Sequence, residues 1–565
     1  MRRLIDQYLL SLPVPRRRFL FGTLVLSGVV TLAAIMLRVL AAQGLTPLEL
    51  GMLACYVVTL PWQVIGFWNA VLGFAFLRTA PDPVGAVSTF TERRATPITA
   101  PTALALPIRN EAVAPVFRRI RSLFASLDAA QPDAPVALFV LSDSDDPAII
   151  AAEEAAFASL RETLPGSERV SYRRRTDNAG YKAGNVRELV LRRGEDFRYL
   201  VVLDADSLMT VQALQRALAI MERRPRLGLL QTLVVGLPAE SAFARLFQFG
   251  MRQGMRSYTT GSCWWQGAAG PYWGHNAVLR MRAFRDHGAL PVLPGAPPLG
   301  GPVLSHDQVE AALMRAGGWD VRVLPLEDGS FEENPPTIVD YLQRNLRWCQ
   351  GNMQYLRLLP RLPSLRPMGR VQMLLAIWMY LGAPAWMGFL ALGVLQAVSE
   401  GGAASVPQFA SLGGVLFGLM MLLLFAPKVL GVADLLLDPE QRRRYGGTRA
   451  VLAATGAELL FSLLLGPVVA VHETVFMGGL LFGRTTRWSG QNRAARNLPW
   501  RTAVAVGALP TLLGLVFTVL LALRAPALLP FALPVLAGWL LAIPFAWATG
   551  HSALGRWMAR RGLAA

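Results

Sequence analysis

The chain has 565 residues, of which 53% are hydrophobic and 16% charged, and its 55 Lys and Arg against 37 Asp and Glu give a net charge of +18. Because soluble proteins average about 25% charged residues, this composition excludes a disordered chain and argues against an ordinary soluble enzyme. The three cysteines lie far apart in sequence, which argues against a zinc ribbon or a disulfide framework. A basic and apolar chain suits either a membrane surface or a nucleic acid, so the positions of the charges must distinguish the two.

Six long uncharged runs each reach the roughly 20 residues that a membrane-spanning helix needs. They comprise residues 19–37, 50–77, 371–399, 401–427, 502–523 and 525–550. Arginines cluster before the first run and after the last, whereas the links 41–48 and 399–407 contain no Lys or Arg. By the positive-inside rule, both termini and the chain between the second and third runs are predicted to be cytoplasmic. Basic residues at membrane ends, rather than in one soluble patch, also disfavour a nucleic-acid partner.

One further apolar stretch, 450–483, is interrupted by Glu458, Pro467, His472 and Glu473 and has basic residues on both flanks. Basic flanks on both sides indicate that the stretch starts and ends on the cytoplasmic side, so it crosses twice, re-enters or lies in the interface. We therefore expect a broken hairpin or interfacial helices here, and six or eight membrane crossings in total.

Residues 78–370 contain most of the acidic residues, and short apolar runs alternate there with amphipathic stretches. We predict strands at 102–107, 135–141 and 199–203, and helices at 113–127 and 211–221. This alternation predicts an open α/β sheet, which places its ligand at the carboxyl ends of the strands. The predicted organisation is a cytoplasmic tail (1–18), a transmembrane hairpin (19–77), the α/β domain (78–370), a transmembrane bundle (371–550) that includes a cytoplasmic loop (484–501), and a second tail (551–565).

Carboxylates follow two of the predicted strands. Asp143 follows the second strand, and Asp204 and Asp206 follow the run 199–203. Such oxygen donors suit Mg²⁺ or Mn²⁺, although an Asp-x-Asp pair by itself is also common in solvated turns. Lys182 is one of only two lysines in a chain that otherwise uses Arg, which indicates a compact charge placed at a phosphate. A solvated loop lysine is the alternative.

Six short motifs follow one another along this domain. They are PIRNE (107–111), Asp143, KAGN (182–185), DAD (204–206), SHD (305–307) and QRNLRW (343–348). Their combination and order resemble those of the processive inverting membrane glycosyltransferases of the cellulose and hyaluronan synthase type. Longer phrases resemble the branch that makes the osmoregulated periplasmic glucans of bacteria: YRRR (172–175), VVLDADSLMT (201–210), YWGHN (272–276), LSHDQVEAALMRAGGW (304–319) and RWCQGN (347–352).

The resemblance implies a multi-pass α-helical membrane protein of the bacterial inner membrane with a cytoplasmic α/β GT-A glycosyltransferase domain. It implies UDP-glucose as donor and a growing β-1,2-linked glucan that passes outward through the membrane bundle, in contact with membrane lipid. It also suggests an acyl carrier protein as a partner. Two alternatives stay open: another product, such as cellulose or a short glycolipid, and a transporter or catalytically silent scaffold.

The resemblance also assigns roles to individual residues. Asp307 is expected to be the general base that takes the proton from the acceptor hydroxyl. Asp204 and Asp206 are expected to bind the metal ion. The residues expected at the donor are Pro107, Asn110, Glu111, Asp143, Lys182, Asn185, Asp204, Arg344 and Arg347. Those expected at the acceptor are Trp273, Gly274, His275, Gln343 and Trp348.

Plainer interpretations exist for these residues. Asp307 precedes the predicted helix 308–316 and could be its N-cap, and Asp143 and Glu111 could be N-cap or loop carboxylates. The QRNLRW motif places Gln, both Arg and Trp on one helix face, which an amphipathic interfacial helix would also do. The YWGHN motif could be a plain turn, and His306 could either tune Asp307 or pack as a neutral side chain.

A weaker resemblance concerns the sequence FGRTTR at 482–487. Cellulose synthases have a gating loop of the form Phe-x-Val-Thr-x-Lys, which Phe482, Thr485 and Arg487 match in part. The chain has Arg484 where that loop has Val and Arg487 where it has Lys. A gating loop is therefore one interpretation, and juxtamembrane arginines that fix topology are the other.

Overall fold

The computed structural model describes residues 8–41, 44–399, 412–486 and 496–564. An α/β domain lies between the second and third long apolar helices, as the composition predicts. The N-terminal helices are α1 (Val14–Leu40), α2 (Pro47–Thr79) and α3 (Pro83–Ser88). The helices of the domain are α4 (Val113–Ala130), α5 (Pro147–Thr163), α6 (Tyr181–Arg193), α7 (Val211–Arg223), α8 (Ala242–Gln266), α9 (Met281–His287), α10 (His306–Ala316), α11 (Ile338–Met353) and α12 (Tyr355–Leu358). The C-terminal helices are α13 (Pro367–Ser399), α14 (Gly414–Leu437), α15 (Pro439–Arg444), α16 (Thr448–Leu481), α17 (Trp500–Arg524), α18 (Leu529–Leu540), α19 (Ala542–Thr549) and α20 (Ser552–Arg560).

One mixed sheet forms the centre of the α/β domain. Its strands are β1 (Thr102–Ile108), β2 (Val136–Ser142), β3 (Val170–Arg174), β4 (Tyr199–Val202), β5 (Leu208–Met209), β6 (Leu227–Gly236), β7 (Ala277–Arg280) and β8 (Asp320–Glu332), in the order β3-β2-β1-β4-β7-β6-β8-β5. Strands β3, β2, β1 and β4 run parallel, whereas β7 is antiparallel to both of its neighbours and β8 is parallel to β6. The carboxyl ends of β1, β2, β4 and β8 and the amino end of β7 therefore meet at one edge of the sheet.

The sheet is buried on both faces, which explains why its strands are continuous apolar runs. Side chains alternate between the two faces of a strand. Leu104 and Leu106 of β1 accordingly pack in one apolar cluster, whereas Ala103 and Ala105 pack in another. Both clusters include residues of the flanking helices, so the layers are helix, sheet and helix.

Six helices of the described ranges are long and apolar enough to cross a membrane: α1, α2, α13, α14, α16 and α17. The bent pair formed by Pro526–Leu540 and α19 would add a seventh span. Five of the six predicted runs fall in single helices and the run 525–550 falls in the bent pair, although part of the run 401–427 lies outside the described residues. The hydrophobic runs thus predict the membrane helices well.

The stretch 450–483 does not form the predicted broken hairpin. Helix α16 is continuous over 34 residues and contains Pro467. The indole N–H of Trp539 donates a hydrogen bond to the Pro467 carbonyl oxygen at 3.0 Å. Polar contacts from neighbouring helices allow a membrane protein to keep a proline inside a helix, so the proline was a poor signal for a break.

Helix α16 contacts the α/β domain at two places. The Phe461 ring packs edge-on against Phe243 of α8, with ring centroids 5.1 Å apart. Twelve residues further along, roughly 18 Å at 1.5 Å per residue, Glu473 accepts a hydrogen bond from the Asn345 side chain of α11 at 2.5 Å. Helix α16 is also long and apolar enough to cross a membrane, so whether it spans the membrane or lies in the interface stays a prediction.

Candidate active site

The predicted site residues converge where strands end at one edge of the sheet. Asn110 follows β1, Asp143 follows β2, Asp204 follows β4, and Gly274 precedes β7. Because β7 runs antiparallel to β4, its amino end lies beside the carboxyl end of β4. The topology thus brings together residues as far apart in sequence as Asn110 and Gly274, which are separated by 164 positions.

Asp143 is buried and held by two side chains. The Arg175 guanidinium binds it in a fork, with Nε 2.5 Å from Oδ1 and Nη2 2.8 Å from Oδ2, and the Asn185 amide donates to Oδ1 at 2.6 Å. Asn185 itself is fully buried. The structure thus shows Asn185 holding the Asp143 carboxylate, and the donor contact expected for Asn185 stays a prediction. A fork of this kind fixes the orientation of a carboxylate.

The PIRNE motif shapes the loop beyond β1. Asn110 has a left-handed φ of 50°, a conformation that Asn tolerates better than most residues. Its side chain binds the Asp145 carboxylate at 2.6 Å, and its backbone N–H donates to Ser144 Oγ at 2.8 Å. This ties the loop after β1 to the loop after β2. Pro107 lies within β1, and Glu111 precedes the first turn of α4 without being its N-cap, which is Ala112.

Lys182 joins two of the motifs. Its ammonium Nζ donates to the Asp204 carboxylate and, at 2.8 Å, to the Gly274 carbonyl oxygen. The side chain of Lys182 is 13% exposed, so the solvated-loop interpretation is wrong. A compact ammonium fits between the two acceptors, whereas a planar guanidinium presents its donors in a wider fork.

A histidine and a further carboxylate lie beside the DAD motif. His275 Nε2 is 3.3 Å from Glu332 Oε2, and His275 Nδ1 is 3.4 Å from Ser207 Oγ. These contacts place His275 beside the carboxylates, and its expected contact with the acceptor stays a prediction. Burial raises the pKa of Glu332, and the charges of Asp206 and Asp204 raise it further, against the opposing effects of His275 and Arg344.

The carboxylate cluster fits a hard divalent cation. Asp206 is buried next to Asp204, and both are oxygen donors of the kind that Mg²⁺ and Mn²⁺ prefer. Within the described part of the chain, no three His, Cys, Asp or Glu side chains are grouped closely enough to hold a metal ion by themselves. A metal bound here would therefore keep coordination positions for substrate oxygens and water, as Mg²⁺ usually does.

Asp307 lies in the first turn of α10, and Ser305 is the N-cap. The N-cap interpretation of Asp307 is therefore wrong. The Tyr355 hydroxyl donates to the Ser305 carbonyl oxygen at 2.6 Å and fixes the start of the helix. A Cβ atom built on Gly274 would lie 3.7 Å from Asp307 Oδ2 and 3.8 Å from Lys182 Nζ, so the carboxylate and the ammonium face the same glycine.

Helix α11 presents the QRNLRW motif as one open face. Gln343 is exposed and Trp348 is 47% exposed, whereas Asn345 is buried. The Arg344 guanidinium stacks on the Trp348 ring at 4.8 Å from its centroid. Arg344 Nε is buried and, among the described residues, has no hydrogen-bond partner. Arg347 lies one helical turn from Arg344, so two cations and an aromatic ring share this face.

Side chains of α11 connect the site to the membrane helices. Asn345 bonds Glu473 of α16, and the Tyr380 hydroxyl of α13 reaches Asn345 Oδ1 at 3.3 Å. Trp273 lies in an apolar cluster that includes residues of α1, α2 and α13, and its backbone N–H donates to Gln231 Oε1 at 2.9 Å. The residues expected at the acceptor therefore border helices that are apolar enough to cross a membrane.

The FGRTTR loop touches the site through a residue that we did not predict. The Thr486 backbone N–H donates to Gln350 Oε1 of α11 at 2.8 Å, and its hydroxyl donates to the same oxygen at 3.1 Å. Phe482 is 90% exposed and Thr485 is exposed. Arg487 lies outside the described residues, so its predicted gating role stays a prediction.

Sequence reasoning missed three residues of this site. Arg175 lay inside the YRRR phrase, but nothing in that phrase distinguished it from its two neighbours. Glu332 ends β8 at the same sheet edge as Asp204, so the strand-end rule would have found it had β8 been predicted. Gln350 carries no local signal, because its role depends on a contact with a residue 136 positions away.

Comparisons with known proteins agree with this architecture. The profile of glycosyl transferase family 2 matches residues 104–288, and that of glycosyl transferase family group 2 matches residues 199–437. A glucans biosynthesis glucosyltransferase H of Caulobacter vibrioides is 34% identical over 96% of this chain and 81% of its own length. The proteins of that name from Bradyrhizobium diazoefficiens (37% identical, 94% of this chain, 72% of theirs) and Xanthomonas campestris pv. campestris (35%, 97% and 86%) are equally similar.

Among solved structures, a mannosyltransferase of Pyrobaculum calidifontis in complex with GDP-Man and Mn²⁺ aligns with a TM-score of 0.41 at 16% identity, over 71% of this chain and 98% of its own. The sequence relatives, by contrast, match nearly the whole chain, membrane helices included. The chain therefore belongs to the glucans biosynthesis glucosyltransferase H family of the family 2 glycosyltransferases.

Proposed function

We propose that this glycosyltransferase moves glucose from UDP-glucose, with inversion, onto the end of a growing β-1,2-glucan. One observation carries the proposal: the Asp307 carboxylate and the Lys182 ammonium face the same glycine, beside the carboxylates of the DAD motif. A Cβ atom built on that glycine would thus lie within 4 Å of both the proposed proton acceptor and the proposed donor-side cation. Family membership supports glucose transfer in glucan synthesis.

In the proposed reaction, an acceptor hydroxyl attacks the anomeric carbon from the face opposite UDP and loses its proton to Asp307. Arg344, with its unpartnered buried Nε, and Arg347 bind the diphosphate. Asp204 and Asp206 would hold Mg²⁺ or Mn²⁺, which when bound neutralises the charge on the departing diphosphate. Trp348 stacks on the terminal sugar of the glucan.

The acceptor side opens toward the membrane helices, which supports transport of the product through the same chain. The helices long and apolar enough to cross a membrane are α1, α2, α13, α14, α16 and α17, and the bent pair of Pro526–Leu540 and α19 is a further candidate. An even number of crossings among them is part of the proposal. An even number returns both termini to one side, in agreement with the arginine pattern that predicts cytoplasmic termini in the bacterial inner membrane. An acyl carrier protein as partner stays a prediction of the resemblance.

The test uses the purified full chain in lipid with UDP-glucose and Mg²⁺. Methylation analysis gives the linkages of the product, and NMR gives its anomeric configuration. We expect β-1,2 linkages, no transfer in Asp307→Asn, and retained UDP binding in that variant. An exclusively β-1,4 product would overturn the assigned product, and wild-type turnover in Asp307→Asn would overturn the assigned base.

A further inference from the structure

Four arginines converge where two candidate membrane helices begin. Arg18 lies in the second turn of α1, Arg366 immediately precedes α13, Arg315 lies in the last turn of α10, and Arg322 lies in β8. We call these four residues the arginine cluster. Because α1 and α13 are long and apolar enough to cross a membrane, the cluster lies where the chain would enter a bilayer. The proposed reaction gives none of the four residues a role.

The segment 266–270, at the end of α8, joins the elements that carry the cluster. Arg18 Nη2 of α1 donates to the first carbonyl oxygen of this segment at 2.8 Å. Gln372 of α13 donates to another of its carbonyl oxygens at 2.6 Å. A Cβ built on Gly270 would lie 3.2 Å from the Arg322 Cα of β8. The starts of α1, α13 and β8 therefore meet around one short segment.

The positive charge of the cluster is poorly balanced. Among the described residues, Asp320 is the one carboxylate within ion-pair distance, with its two oxygens 3.1 Å from Arg315 Nη1 and 3.6 Å from Arg322 Nη2. Arg18 donates to backbone carbonyl oxygens at the end of α8, which carry only a partial negative charge. Arg366 is exposed and has no carboxylate partner within the described ranges. Four cations thus share one carboxylate.

The mutual repulsion is strongest at Arg315. Burial lowers the pKa of Arg315, and the charges of Arg366, Arg18 and Arg322 lower it further, against the opposing effect of Asp320. Arg315 Nε is buried and, in the part of the chain that the structure describes, has no hydrogen-bond acceptor. An anion bound here would relieve the repulsion and would supply the missing acceptor.

We propose that the arginine cluster binds the phosphate of an anionic phospholipid headgroup at the membrane surface. Guanidinium groups bind phosphate through paired N–H donors, and basic pockets beside membrane helices suit anionic headgroups. The neighbouring surface favours a lipid over a free phosphate, because it is apolar. Phe19, next to Arg18, is 78% exposed, and Val371, at the start of α13, is 44% exposed. Acyl chains would lie along these side chains.

The test is native mass spectrometry of the delipidated full chain in detergent, titrated with phosphatidylglycerol or with phosphatidylcholine. The spectra count the bound lipids and give their dissociation constants. We expect one phosphatidylglycerol site that phosphatidylcholine does not fill. An arginine near a membrane surface contributes about a fivefold factor in affinity for anionic lipid. Arg366→Gln should therefore weaken the site about fivefold, and Arg315→Gln combined with Arg366→Gln about 25-fold.

Two variants serve as controls. Arg366→Lys keeps the positive charge and should keep most of the affinity. Arg361→Gln is the matched control, because Arg361 is also exposed shortly before α13, but its guanidinium donates to the Arg357 carbonyl oxygen one turn earlier. It should bind phosphatidylglycerol as the wild type does. If the double variant fails to fold, Arg366→Glu replaces it, since this change reverses the charge of an exposed side chain.

Three results would overturn the proposal. The first is an unchanged phosphatidylglycerol affinity in Arg366→Glu, and the second is an equal affinity for phosphatidylcholine. The third is displacement of the lipid by an equal concentration of inorganic pyrophosphate, which would make the cluster a site for soluble phosphates. The lipid site does not depend on the proposed function, because the assay measures binding. Wild-type turnover in Asp307→Asn would overturn the assigned base and leave phosphatidylglycerol binding as it is.

Discussion

Gly274 offers the sharpest single test of the site, because alanine fits there sterically. The residue has a φ of +83°, and a Cβ built on it would lie 3.5 Å from Asp307 Cβ, 3.7 Å from Asp307 Oδ2 and 3.8 Å from Lys182 Nζ. These are ordinary van der Waals distances, so Gly274→Ala displaces no neighbour. Its cost to folding is the left-handed backbone, about 1–2 kcal/mol for a residue with a Cβ.

The cost to catalysis should be much larger. The new methyl group would fill the space between the base and the donor-side ammonium, which the acceptor hydroxyl must enter. A displacement of about 1 Å at a reacting centre can cost roughly 100-fold in rate. We therefore expect Gly274→Ala to lower kcat for glucose transfer by about 100-fold, with a smaller change in the KM for UDP-glucose.

Gly318 supplies a matched control. It has a φ of +90°, and no atom lies within 4 Å of a Cβ built on it. Gly318→Ala therefore carries the same backbone strain in open space. Both variants should denature at similarly reduced temperatures in detergent, but only Gly274→Ala should lose transfer. Equal turnover in the two variants would refute the idea that the acceptor approaches across Gly274.

Four further predictions follow from the contacts of the site. Lys182→Arg should lower kcat/KM by about 10- to 100-fold, because it loses a charge-assisted contact worth about 1.5–3 kcal/mol. Lys428→Arg, at the only other lysine, is the control. It should keep the wild-type rate, because the guanidinium can still pair with the carboxylate partner of Lys428. Trp348→Ala should shorten the glucan measured by size-exclusion chromatography while UDP release continues, whereas Trp348→Tyr, which keeps a ring, should shorten it less. Gln350→Ala should increase proteolysis of the loop that contains Thr486, since two hydrogen bonds are lost, and an unchanged cleavage rate would contradict this. Chelation with EDTA should stop transfer, and either Mg²⁺ or Mn²⁺ should restore it; undiminished transfer in EDTA would count against a metal at Asp206.

The sequence predicts elements well where a signal repeats over many residues. The strands at 102–107 and 135–141 and the helix at 113–127 are found within a few residues of their predicted ends. Hydrophobic periodicity carries this information, and it is local. The stretch 450–483 is one continuous helix rather than a broken hairpin, because a proline inside a helix is a strong signal in water and a weak one where neighbouring helices supply polar contacts. The alternative of an interfacial segment stays a prediction.

Site residues, too, can be predicted where a local signal marks them and not where a contact with a distant residue decides their position. Strand ends, short spacings and rare residue types mark Asp143, Asp204 and Lys182 in the sequence, and the structure places all three at the same edge of the sheet. The contacts of Asn185 with Asp143 and of His275 with Glu332 could not be predicted, since each joins residues distant in the chain. The side chain of Asn185, for example, is fully buried and donates its hydrogen bond to the Asp143 carboxylate.

By itself, the sequence determined that the chain combines apolar membrane-type helices with an α/β domain, that carboxylates follow two of its strands, and that a rare lysine lies between them in sequence. Composition, charge position and periodicity are properties of neighbouring residues, so they can be recognised without knowledge of the fold. Only the tertiary structure decided that Asp307, Lys182 and Gly274 meet, and that Thr448–Leu481 is one continuous helix. Those facts depend on strand order and helix packing, which bring together residues more than a hundred positions apart.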